Sequence, residues 1–156
     1  LRTKGLTISR WTGLWLLAAA SFLAGCSAET HPGDGREATA SIDVLPSFLH
    51  NAPDDVRATY RLAARHADML EWIPCTCGCG SIGHRSNRDC FIAERRPDGP
   101  VVWDSHSVGC DVCLNIAVDA ARMAESGMPV SEIRKAIDTK YGSFGPPTPT
   151  PAPPVY

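Results

Sequence analysis

The sequence predicts a mainly α domain: three helices with a short β-hairpin between the first and second, flanked by a disordered N-terminal tether and a proline-rich C-terminal tail. Three observations lead there. Three stretches carry apolar residues at helical period, two short β-rich runs flank a turn signal, and both ends are polar or rich in proline and glycine.

The first helix is predicted from Asp54, where Val56, Tyr60, Ala63, Ala67 and Leu70 follow 4-3-4-3 spacing behind Pro53, Asp54 and Asp55. The hairpin comes next. Phe91 to Glu94 and Val101 to Trp103 stand on either side of "RPDG". The second helix is predicted from Asp111, with Leu114, Ala117, Ala121 and Ala124 inward and Gly127 and Pro129 ending it. In the third, Ser131 is the expected cap, Ile133, Ile137 and Tyr141 the apolar face, and Gly142 the stop. Trp103 reads as a core anchor at a strand end.

The ends have their own logic. Arg2, Lys4 and Arg10 precede "WTGLWLLAAASFLA", an apolar run of 14 residues from Trp11 to Ala24. A bilayer span needs about 20 residues, so the run reads as the core of a secretory leader over residues 1–25. It closes on "LAGC", which resembles a bacterial lipobox and makes Cys26 the expected lipid-bearing N-terminus of the mature chain. Removing the leader takes three positive charges from a chain of formal charge −2, leaving about −5. The expected location is the outer face of a cell membrane, held by lipid (palmitate or a related acyl chain) rather than by charge. Residues 26–45 read as a flexible tether, 46–145 as the folded cysteine-rich domain, and 146–156 as an extended tail. With 15 basic and 17 acidic residues and no basic patch, the composition points away from nucleic acid. No Ser-His-Asp set, phosphate loop or carboxylate pair is visible, so no enzyme class is expected.

Six cysteines remain beyond Cys26. Cys75, Cys77 and Cys79 fall on alternate positions of "PCTCGCG", Cys90 follows, and Cys110 and Cys113 open the second helix. Three residues apart, the last two share a helix face, where the helix dipole favours thiolate. Neighbouring Cys-X-Cys thiols rarely bond to each other, and Gly78 and Gly80 let the loop curl so that its sulfurs converge. His84 and His106 lie among these cysteines. Six sulfurs and two imidazoles are enough for two tetrahedral zinc ions or one copper(I) thiolate cluster, with Met69, Met123 and Met128 as further soft donors or as core. Outside the cytoplasm the same six thiols also suit three disulfides, the loop cysteines pairing with the other three in one of six ways. Cys110 and Cys113 suit a redox dithiol, although the strand pattern that usually surrounds one is missing. His31, His50 and His66 read as surface residues, and Asp89 and Asp104 as solvated loop residues or as supports for a ligand histidine.

"IPCTCGCG…GHRSNRDCFI", "VVWDSHSVGCDVCLNIAVDAARM" and "SEIRKAIDTKYG" together resemble the bacterial lipoproteins named for a PCYCGC motif, over roughly residues 58 to 142. Thr76 stands where that motif has tyrosine, which removes a ring but no sulfur. The resemblance implies a lipoprotein and supports the donor set, without supplying an activity. The function expected is a lipid-anchored, extracytoplasmic protein that holds or transfers copper(I) or zinc, with a metal donor or acceptor protein as partner. The alternatives are a disulfide-stapled structural or partner-binding lipoprotein and a thiol redox protein using Cys110 and Cys113.

Overall fold

Strand Val101–Asp104 is buried along its whole length, and the rest of the sheet is built around it. The computed structural model describes residues 30–31, 35–96 and 99–154. The stretch read as a leader, Cys26 and the middle of the "RPDG" turn lie outside the described residues.

Among the described residues, four strands make one antiparallel sheet: β1 (Thr30–His31), β2 (Arg36–Thr39), β3 (Ile92–Arg95) and β4 (Val101–Asp104), in the order β1-β2-β4-β3. The hairpin of β3 and β4 is present as predicted, pairing Ile92 with Trp103 and carrying an irregularity between Ile92 and Glu94. Trp103 is fully buried, and its Nε1–H donates to Thr39 Oγ1 at 2.8 Å. β2 is a correction. It falls in the stretch read as a flexible tether, yet Glu37 pairs with Trp103 across the ladder. Its polar composition hid it because its partner strand is distant in sequence and half its surface stays solvated.

Among the described residues four α-helices accompany the sheet, so the domain is mixed α/β rather than three helices and a hairpin. α1 (Asp54–Arg65) stops where His66 leaves helical torsions (φ −105°, ψ 18°), and α2 (Ala67–Leu70) starts there. The apolar stripe read as one helix therefore continues across a break. α3 (Asp111–Glu125) packs against α1 and against α4 (Val130–Tyr141). The inward face of α3 is Cys113, Ile116, Ala117, Ala120 and Ala121, so Leu114 and Ala124 sit at its margin. Gly127 turns the chain with φ 82°, a left-handed conformation that favours glycine. Pro129, not Ser131, occupies the cap of α4, whose buried face is Ile133, Ile137 and Tyr141 as predicted.

Tyr60 ties the helical layer to the sheet. It is fully buried, meets Phe91 edge-on at 5.0 Å and donates its hydroxyl to Asp104 O at 2.9 Å. Burial, with the nearby Asp104 charge, pushes its pKa well above the usual phenol range.

The tail is a second correction. Residues 146–154 form no helix or strand, in keeping with their prolines, but they are not free. Thr148 and Thr150 are buried, 4% and 9% exposed. Thr148 exchanges two hydrogen bonds with Cys75: its N–H donates to Cys75 O (2.8 Å), and its Oγ1 accepts from Cys75 N–H (2.9 Å). Thr150 Oγ1 donates to Arg85 O (2.6 Å), and Arg134 Nη1 donates to Pro151 O (2.6 Å) and Trp72 O (3.1 Å). The threonines between the prolines supply the side-chain hydroxyls with which this strap grips the cysteine loop. Among the described residues, no helix is long and apolar enough to cross a membrane.

Candidate metal centre

Three pieces of chain bring the sulfurs together. The loop after α2 carries Cys75, Cys77 and Cys79, and Gly78 turns it with φ 86°. A single 3-10 turn, Arg88–Cys90, presents Cys90. The start of α3 presents Cys110 from the cap position and Cys113 one turn in. The loop is pinned from several sides: Asn87 N–H donates to Ile73 O (2.8 Å), Asn87 Nδ2 to Cys113 O (3.1 Å) and Ser107 Oγ to Cys90 O (2.8 Å). Thr76 is buried and its hydroxyl donates to Tyr141 O at 2.9 Å, so it works as a tie to the end of α4. The strap closes over this surface so tightly that a Cβ on Gly145 would stand 2.8 Å from Thr76 O.

All six thiols are free, and all eight predicted donors lie in one region. Cys75 Sγ is 3.3 Å from Cys113 Sγ and 3.5 Å from Cys77 Sγ, and Cys77 is 3.5 Å from Cys113. Cys79 and Cys90 are 3.5 Å apart, and Cys110 and Cys113 3.0 Å. A disulfide is about 2.05 Å long, so none of these contacts is a bond. Ligand atoms around tetrahedral zinc stand about 3.8 Å apart, given zinc–sulfur bonds of about 2.3 Å. The sulfurs, 3.0 to 3.5 Å apart, thus stand slightly closer together than the ligand atoms of such a site.

Among the described residues, and besides the close trio of Cys75, Cys77 and Cys113, four groups of donors have ligand atoms within 4.8 Å of one another: Cys77, His106, Cys110 and Cys113; Cys79, His84, Cys90 and His106; Cys75, Cys77 and Cys79; and Cys75, Cys90 and Cys113. Cysteines and histidines in such sets suit zinc or copper(I).

The histidines are held by Asp104. Its Oδ2 lies 3.4 Å from His84 Nε2 and accepts from Arg36 Nε (3.2 Å), while its Oδ1 accepts from His106 N–H (2.9 Å). His84 Nδ1 is buried and has no hydrogen-bond partner. An orphaned ring nitrogen opposite a carboxylate-bound one is the arrangement of a metal-binding histidine with its outer carboxylate. His106 Nε2 lies 3.5 Å from Cys77 Sγ, and the two imidazoles meet edge-on at 5.0 Å. Beside them is an open depression of about 500 Å³, lined by Gly35, Arg36, Ile82, His84, Asp104, Ser105 and His106.

Electrostatics in the thiol cluster are uneven. Hydrogen bonding with the Cys113 thiol brings Cys75 down to about 7, and hydrogen bonds from Cys113 and Cys75 lower Cys79 further still. Hydrogen bonding to Cys75, Cys79 and Cys90 holds the proton on Cys113, and burial pushes Cys77 up. A first thiolate is therefore stabilised by its neighbours, and each later one meets its charge. Burial disfavours the charged form of His84, but hydrogen bonding and attraction to Asp104, together with the Cys79 thiolate, outweigh it and raise the pKa to about 9. Burial acts against the Asp104 carboxylate too, and hydrogen bonds from His84, the His106 N–H and Arg36 outweigh it, leaving Asp104 below its ordinary value.

The structure separates the remaining predictions. Asp104 is a histidine support, whereas Asp89 accepts from Arg85 N–H (2.8 Å) and pairs with Arg88 (3.2 Å). His66 pairs with Glu125 at 3.2 Å and His50 is exposed. Met69 and Met123 pack against the apolar core, and Met128 is exposed. Sequence reasoning missed Thr148 and Thr150, for which spacing gives no signal. For Asp104 the signal was its place two residues before His106.

Comparison with curated proteins and with solved structures gave no match. A family model described as "Protein of unknown function with PCYCGC motif" matches residues 18–153.

Proposed function

The chain belongs to the PCYCGC motif family, and from that premise we propose that it is a lipid-anchored, extracytoplasmic protein that holds copper(I) in its Cys/His cluster and passes it to or from a partner protein. The observation that carries this is the convergence of six free thiols and two imidazoles from three separate pieces of chain. Copper(I) is favoured over zinc by the way Cys75 is shared between two groups of sulfurs. Cys75 lies within 4.8 Å of Cys77 and Cys79 in one group and of Cys90 and Cys113 in another, and neither group has the four ligands of a structural zinc site. Its Sγ stands 3.3 Å from that of Cys113 and 3.5 Å from that of Cys77. One continuous body of sulfur suits a soft monovalent ion with shared thiolates. The lipid anchor rests on the "LAGC" stretch and the apolar run before it.

The test is metal content after anaerobic purification, with a Cys75→Ser/Cys77→Ser/Cys79→Ser chain alongside. Copper in the parent and little in the variant is expected. Negligible metal in both, before and after exposure to copper(I) or zinc, refutes the reading.

A further inference from the structure

Any two of the four donor groups have one donor in common. Cys75 joins the two all-sulfur groups. Cys77 and Cys113 join the Cys110 group to each of those, and Cys79 and Cys90 do the same for the His84 group. His106 joins the Cys110 group to the His84 group. One ion in each of these groups, every pair linked through one shared atom, would have the connectivity of a tetrahedron with a ligand along every edge, and the close trio of Cys75, Cys77 and Cys113 would then be the face between three of the ions.

We propose that the site assembles one four-ion cluster of copper(I), in which Cys75, Cys77, Cys79, Cys90 and Cys113 each bridge two ions, while Cys110 and His84 each bind one. This rests on the metal-holding reading and adds the number of ions and the role of each sulfur. The donor supply fits the ion. Five bridging sulfurs and three end ligands provide thirteen metal–ligand bonds, against twelve for four three-coordinate ions and sixteen for four tetrahedral zinc ions. The two all-sulfur groups have three donors each, one too few for structural zinc.

One edge of the tetrahedron differs. A neutral imidazole offers one acceptor nitrogen, so His106 binds one of its two neighbouring ions and leaves that edge without a bridge. This is the edge that faces the open depression, which both imidazoles line. His106 and Cys110 are half-buried, whereas Cys75, Cys79, Cys90 and Cys113 are buried. The unbridged edge is therefore the place where an ion leaves to an incoming soft ligand, and a cysteine or methionine side chain of a partner is the chemistry that takes it.

The experiment is anaerobic titration of the full chain with copper(I), read as ions per chain by native mass spectrometry. Saturation at four is expected, with Cys110→Ser still holding four and Cys75→Ser fewer. His106→Ala keeps four ions and releases copper to a thiol chelator at least tenfold faster. Saturation at two ions, or at any number other than four, overturns the cluster while leaving metal binding intact; no binding at all overturns both. Equal capacity in folded Cys75→Ser and Cys110→Ser chains also overturns it. If Cys75→Ser does not fold, the stoichiometry of the parent chain decides.

Discussion

His84 and Asp104 form a buried pair, Nε2 to Oδ2 at 3.4 Å, with the other ring nitrogen left unpaired. That pair fixes which nitrogen faces the sulfurs. Replacing the outer carboxylate of a metal-bound histidine typically weakens binding 10- to 100-fold. Asp104→Asn is expected to lower copper(I) affinity by about that factor in a competition assay against a chelator. An unchanged affinity would show that His84 is held in place by packing alone.

The strap gives a second expectation. Thr148→Val removes the hydroxyl that accepts from Cys75 N–H but keeps the shape. Loss of one buried partner costs about 1–3 kcal/mol, and the cost falls on the loop. Amide exchange at Cys75 and its neighbours is expected to speed up at least tenfold, while that of α1 and α3 stays unchanged. Uniform acceleration across the chain would argue that the strap supports the whole fold.

Asp119 predicts behaviour in acid. It accepts from Tyr141 OH (2.6 Å) and from Lys140 Nζ (2.5 Å), tying α3 to α4. Burial works against its charge, and those two partners outweigh it, so its folded pKa lies below the ordinary carboxylate value. A depressed pKa contributes stability above the unfolded value, about 3.9, and loses it as the pH falls through the folded value. Melting temperature is therefore expected to fall below about pH 4 in the parent. In Asp119→Asn the starting melting temperature is lower and the fall shallower. Parallel profiles would place the acid sensitivity elsewhere.

Tyr60 separates hydrogen bonding from packing. Tyr60→Phe leaves the edge-on contact with Phe91 and removes the bond to Asp104 O. A loss of about 1–2 kcal/mol in urea unfolding is expected, against about 3–5 for Trp103→Ala, which empties the core next to β4. The reverse order would mean that the link between helices and sheet is mainly polar.

Local signals and distant ones fared differently. The hairpin and the α4 face were legible because each rests on residues close in sequence: a turn dipeptide and a 3.6-residue period. The cysteines stood out by their tight spacing, whereas their meeting joins three separate pieces of chain. β2 was not legible, since Arg36–Thr39 becomes a strand only when β4 is beside it. The break at His66 was hidden because Ala67 and Leu70 keep the apolar rhythm across it. The strap failed for a related reason. Proline-rich sequence correctly excludes helix and strand, but says nothing about what Thr148 and Thr150 touch. Such pairings are tertiary, and the pattern of one segment does not contain its partner.

The grip of Thr148 on Cys75 also sets an order of events during biogenesis. A chain synthesised from its N-terminus presents the cysteine loop long before the residues beyond α4 arrive. In that interval the backbone of Cys75 has neither of its later partners, and its thiol is open to stray oxidants and to whichever cation comes first. The cysteine loop is therefore held only once the final stretch docks, which makes the proline-rich segment the last piece of its scaffold.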